Sequence, residues 1–277
     1  MRERVADHVY VTTSELYAQV NSGIIVGPEW SVLIDTLAYP QETRELRDFI
    51  EKDLGSRVRY VILTHYHADH TLGTSFFPDA IVIAHKECRD LLESRGREAL
   101  QEAQRENADL RETRIVLPDI LVEDESISLR VGRKTLELVP LPGHSPDGLG
   151  VLIVEDRVLF SGDVMMPLPY VVDGDIATML ESLRRIPRMK LENLVQGHGE
   201  VILRGEISEG VRANSNYLMA LDRYVKRLKR RKNLPTGPDP DVEEFGKSRI
   251  LMNGLGEALH RRNLQTLLGR PGSQAAI

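Results

Sequence analysis

The stretch "VILTHYHADHTLG", residues 61–73, decides how the rest of the chain reads. The run "VRYVILT" (58–64) is apolar and β-branched, as expected of a strand buried on both faces. It ends in three histidines and an aspartate within six positions: His65, His67, Asp69 and His70. Histidine is a poor core residue and a good metal ligand. His65 and His67 are two residues apart, so in extended chain their side chains share a side. Asp69 and His70 lie a turn further on, where the chain bends toward a helix and aims them elsewhere. The motif therefore offers ligands to two ions and needs outside partners to complete each shell.

Such partners recur along the chain. "PGHSPDG" (142–148), "LFSGDV" (159–164) and "QGHGE" (196–200) each follow an apolar run and contain a glycine turn. Strand ends of this kind are where a sheet scaffold presents functional groups. His144 and His198 are the candidates to complete the two shells. Asp163 could place one carboxylate oxygen on each ion.

"THYHADH", "PGHSPDG", "SGDV" and "QGHG" occur in the order, and at roughly the separations, of the metallo-β-lactamase superfamily, which residues 8–203 resemble. "SVLIDT" (31–36) is similar to that family's early strand ending in an aspartate. The resemblance implies an αββα sandwich of two mixed sheets flanked by helices, with the site at one edge between them. It implies a first metal on His65, His67 and His144, a second on Asp69, His70 and His198, and Asp163 between. Asp35 would orient a ligand histidine, and Asp69 would double as a proton acceptor in catalysis. Two zinc ions are expected, with iron or manganese able to take either position.

The reaction implied is hydrolysis of an ester, thioester or lactone by a hydroxide held between the metals. A phosphodiesterase or phosphotriesterase on the same site is one alternative, and an iron-dependent persulfide dioxygenase is another. Glyoxalase II-like enzymes and lactonases share the motif set, but the basic pattern that binds glutathione is not found in 205–277. "MMPLPYVVDGD" (165–175) follows the bridging acid. Met165, Met166, Leu168 and Tyr170 are expected either at the lip of a pocket for an apolar group or in a buried connector.

The 277 residues carry a net charge of −6, with 41% apolar and 28% charged residues, the balance of an ordinary globular protein. That balance does not favour nucleic acid or an anionic membrane as the main partner. The basic cluster "RLKRRK" (227–232) is read as a cationic helix end, which the helix dipole favours. The single cysteine, Cys88, rules out an internal disulfide and a cysteine-based zinc site, and is expected to be a half-buried apolar thiol. No apolar stretch follows the charged start, and no run reaches the ~20 residues of a membrane span. A cytoplasmic enzyme with a small-molecule substrate is expected.

Strands are expected at 8–13, 23–27, 31–36, 58–64, 80–85, 126–132, 134–141, 149–156, 157–163 and 191–197. Helices are expected at 41–54, 86–110 and 177–186. After about Gly205 the pattern turns helical, with a break at "PTGPDPD" (235–241) and short helices over 242–269. Residues 1–204 are thus expected to form the sandwich. Residues 205–277 would be a helical extension that covers the pocket or mediates a homodimer. His8, His85 and His260 fit no part of the site pattern.

Overall fold

Successive residues of the central strands bury on opposite faces, and that alternation builds the layers. The computed structural model describes residues 1–123, 127–230 and 239–270. In β4 (Ser31–Ile34), Leu33 packs on one face and Val32 and Ile34 on the other. β5 (Val58–Ile62) does the same with Val61 and Ile62. A sheet apolar on both faces must be covered twice.

The first sheet runs in chain order: β1 (Arg2–Ala6), β2 (Val9–Thr13), β3 (Asn21–Val26), β4, β5, β6 (Ile81–His85) and β7 (Ile120–Val122). β1 to β4 form an antiparallel meander, and β4 to β7 pair in parallel. The second sheet contains β8 (Ile127–Val131), β9 (Lys134–Pro140), β10 (Leu149–Ile153), β11 (Val158–Phe160), β12 (Asn193–Val195) and β13 (Ile202–Leu203). Its pairs are antiparallel except β11 with β12.

Between the sheets, Val11, Ile25, Ile34 and Ile62 meet Leu138, Val151, Val158 and Phe160. The outer face of the first sheet packs Ile24, Leu33, Val61 and Leu63 against α1 (Pro40–Asp48) and α3 (Lys86–Leu91), through Leu46 and Cys88. The outer face of the second packs Leu159 and Leu194 against α5 (Ile176–Arg185), α6 (Ile207–Lys229) and α8 (Gly256–Leu268). The expected αββα sandwich is the observed one. The C-terminal helices α6 and α8 share one apolar cluster with α5 and that sheet. The remaining helices are α2 (Ala68–Thr71), α4 (Arg97–Glu106) and α7 (Leu251–Gly254).

The departures have local causes. The helix expected over 86–110 is α3, a π-helical turn at Leu92–Gly96, then α4. Cys88 is fully buried rather than half-buried. Strands β1, β7 and β13 were not expected, and each lies at a sheet edge. Edge strands bury little and tolerate charge, so "RERVA" does not read as a strand. Part of "RLKRRK", most of the "PTGPDPD" break and the end of the tail lie outside the described residues. No described helix is long and apolar enough to cross a membrane.

Candidate metal centre

Each site residue sits just beyond the C-terminal end of a strand. His65 and His67 follow β5, and α2 carries Asp69 and His70. His144 follows β9, Asp163 lies in the 3-10 turn Gly162–Val164 after β11, and His198 follows β12. These loops meet at one edge of the sandwich. Ligand atoms of His65, His67, His144 and Asp163 lie within 4.8 Å of one another, as do those of Asp69, His70 and His198.

Asp163 stands between the two groups. Its Oδ2 is 3.4 Å from His144 Nε2 and 3.3 Å from His198 Nε2, and its Oδ1 is 3.3 Å from His70 Nε2. His198 Nε2 is also 3.2 Å from Asp69 Oδ2. A Cβ on Gly197 would fall 1.7 Å from Asp163 Oδ1, so glycine is required behind the carboxylate.

The outward nitrogens are tied down. His144 Nδ1 donates to the Tyr170 carbonyl at 2.7 Å, and His198 Nδ1 to that of Ala18 at 2.9 Å. His70 Nδ1 lies 2.8 Å from Asp35 Oδ2, and Asp35 also accepts from the Thr64 amide and hydroxyl. Asp35 adopts φ 56°, a left-handed conformation that aspartate tolerates. His67 Nε2 lies 3.0 Å from Asp173 Oδ2, which also accepts from the Tyr66 hydroxyl. Arg95 approaches the other Asp173 oxygen at 3.4 Å. An N–H that faces an acceptor leaves the opposite nitrogen with a lone pair.

Those lone pairs converge. His67 Nδ1 is 3.1 Å from His65 Nε2 and 2.9 Å from His144 Nε2. His70 Nε2 and Asp163 Oδ1 are buried and, among the described residues, have no hydrogen-bond partner. Burial drives the His65 pKa far below its usual value and that of His144 down to about 4. At His70 and His198 burial acts in the same sense, but Asp163 and Asp69 outweigh it, raising His198 to about 10 and His70 well above normal. His65 and His144 thus present neutral imidazoles, while His70 and His198 draw positive charge. Nitrogen and oxygen donors in this arrangement fit two divalent cations.

All seven residues expected as ligands are brought together, with Asp35 behind His70. The expected apolar lip is not formed. Met165, Met166 and Leu168 are 1%, 2% and 0% exposed. Met165 and Leu168 belong to the core beneath α5 and α6, and Met166 is anchored by its carbonyl, which accepts from Asn214 at 2.8 Å. They form the buried connector, because the chain after Asp163 dives under α6. Tyr170 alone stays near the site, its ring 6.1 Å from that of His144. His85 caps α3, His260 bonds Tyr217, and His8 is exposed.

Asp173, Tyr66 and the Ala18 carbonyl had not been singled out. "DGD" (173–175) carried a usable signal, a polar turn directly after an apolar stretch. A backbone carbonyl carries none.

The sequence profile described as "Metallo-beta-lactamase superfamily" matches residues 17–198. An atrochrysone carboxyl ACP thioesterase of Claviceps purpurea is 25% identical over 238 residues, covering 84% of this chain and 68% of the relative. For other curated relatives the matched part is about half of their length, 44% and 56% in two cases. Among solved structures, a metallo-beta-lactamase from Pontibacter korlensis superposes with TM-score 0.63 at 20% identity, covering 76% of this chain and 97% of its own. The sec-alkylsulfatase Pisa1 from Pseudomonas sp. gives TM-score 0.73 at 16% identity, covering 97% of this chain and 50% of its own. At these identities the structures speak for the fold alone.

Proposed function

The chain belongs to the metallo-β-lactamase superfamily, and from that premise we propose that it is a dinuclear zinc hydrolase acting on a thioester. The observation that carries the reading is Asp163, whose two oxygens face histidines of both clusters. The Claviceps relative, a thioesterase by name, favours thioesters over the wider set of esters and lactones.

His65, His67 and His144 would hold one ion, Asp69, His70 and His198 the other, with Asp163 shared. When bound, two divalent cations lower the pKa of water toward neutrality and polarise a carbonyl oxygen. The chain's own residues supply the rest. Asp35, Ala18, Tyr170 and Asp173 fix the imidazole rings, so no reorganisation is needed as charge develops. The Asp69 side chain is 14% exposed where that of Asp163 is 4%, so Asp69 is the more accessible of the two carboxylates. We assign it the proton released as water adds to the acyl carbon.

Metal analysis of protein made without added metal, followed by turnover of a thioester, a lactone and a phosphodiester, tests this. About two zinc ions per chain with thioester cleavage supports the reading. A single iron per chain, or cleavage of the phosphodiester alone, overturns it. Asp69→Asn with both ions and full activity removes Asp69 from the proton step.

A further inference from the structure

The chain from Met166 to Val171 belongs to no strand or helix. Its backbone groups need other partners, since a buried carbonyl left unpaired is costly. The C-terminal extension supplies them. Asn214 of α6 donates to the Met166 carbonyl at 2.8 Å, and Lys247 to that of Pro167 at 2.8 Å. Lys247 also donates to Asn214 Oδ1 at 2.5 Å. Asn263 of α8 donates to the Pro169 carbonyl at 2.8 Å and accepts from the Val171 amide at 2.9 Å.

The bond to Val171 bears on the metal centre. The Val171 N–H and the Tyr170 carbonyl belong to one peptide unit, which is planar and rigid. His144 Nδ1 donates to that carbonyl at 2.7 Å. Asn263 and His144 thus hold the two ends of a single plane. Turning the plane carries the carbonyl with it, and so the ring of His144, whose Nε2 lies 2.9 Å from His67 Nδ1. Accepting from the N–H also polarises the carbonyl and strengthens its bond to the imidazole.

Packing alone does not account for an asparagine here. Asn263 is 0% exposed, and Leu264 beside it belongs to the apolar cluster shared by α5, α6 and α8. An amide in that place gives up its hydration, and an apolar side chain would fill the space at lower cost. Both ends of the amide are used, Oδ1 by Val171 and Nδ2 by Pro169 and by the Tyr217 hydroxyl at 3.0 Å. The buried Asn214 is bonded at both ends in the same way. Such groups contribute one fixed geometry rather than net stability.

We propose that Asn263 is a positioning residue for His144, acting through the 170–171 peptide plane, with Lys247 and Asn214 bracing the same connector. The C-terminal extension is then a working part of the metal centre rather than a cover over it. This rests on the reading of His65, His67 and His144 as a metal site, and not on the thioester.

Stepwise zinc affinities of the full chain, from competition with a chromogenic chelator, test it. His144→Ala marks which of the two constants belongs to its cluster. Asn263→Ala should weaken that constant by about tenfold, the low end of the loss on removing a partner behind a ligand histidine. The constant of the other cluster, where Asp35 and Ala18 hold His70 and His198, should stay within about twofold. His260→Ala loosens the same helices, but its bonds go to Tyr217 and Pro240. It should lower unfolding stability and leave both constants alone. If Asn263→Ala does not fold, Lys247→Met frees the Pro167 carbonyl from a half-buried position and should give a smaller loss in the same constant. An unchanged constant in the variant that folds, equal losses in both constants, or the same loss in His260→Ala overturns the proposal. A wild type that binds no zinc overturns the metal site itself, and the proposal with it.

Discussion

Asp173 Oδ2 lies 3.0 Å from His67 Nε2, on the side of the ring away from His65 and His144. The contact turns the ring so that Nδ1, not Nε2, faces the first cluster. Asp173→Ala should weaken metal binding there by about 10–100-fold, the usual cost of losing a partner behind a ligand histidine. Asp173→Asn, whose amide oxygen still accepts from Nε2–H, should lose less. Competition against a chromogenic chelator reads both, and equal affinity in wild type and Asp173→Ala would show that the contact does not position the ring.

Asp35 holds His70 and the Thr64 amide together, and Asp35→Ala strands both. The buried Thr64 N–H alone should cost about 1–3 kcal/mol. Urea unfolding of the metal-free protein measures that loss, and metal stoichiometry should fall from two toward one. Asp35→Asn is expected to be milder, since asparagine also tolerates φ 56°.

Gly174 packs its α-carbon onto the loop that carries His144. A Cβ there would lie 1.9 Å from the Gly143 carbonyl oxygen and 2.6 Å from that of His144. Both atoms are backbone and cannot swing away. Gly174→Ala should destabilise by about 1–3 kcal/mol, as overpacking does. Gly205→Ala has open space around it and is the control, expected within about 0.5 kcal/mol of wild type. Thermal unfolding of both variants checks the contrast.

His260 joins the C-terminal helices to one another. Its Nε2 donates to the Pro240 carbonyl at 3.1 Å, and its Nδ1 accepts from the Tyr217 hydroxyl at 2.9 Å. Burial lowers its pKa below the ordinary 6.5, with Glu257, Asp239, Asp241 and the Pro240 carbonyl opposing. Below 6.5 the unfolded chain then binds more protons than the folded one. The contribution of His260 is complete above 6.5 and is lost as the pH falls through the window down to the folded value. Denaturant unfolding from pH 7.5 to 5 should show a shallower decline for His260→Gln than for wild type. Identical slopes would place the titration elsewhere.

The ligands were legible because histidines and aspartates at strand ends have few other uses, and the two sheets because Val61 and Ile62 fill opposite faces of β5. Strand β1 was not, since an edge strand with one covered face can read "RERVA". The π-turn at Leu92–Gly96 keeps helical composition and changes only the hydrogen-bond span. Met165 and Leu168 are apolar whether they line a pocket or fill a core, and only the path of the chain under α6 decides. Asn263 sits on α8 and bonds the chain on both sides of Tyr170, and residues 61–73 give no hint of that contact.

The inward faces of the imidazoles are held from behind by residues 18, 35, 170 and 173, which come from widely separated parts of the chain. A chain still emerging from synthesis can offer an ion single, freely turning imidazoles but no pocket. Capture of metal should therefore come last, after the sandwich has closed, and an ion would act as a seal on a finished molecule rather than a seed for its folding.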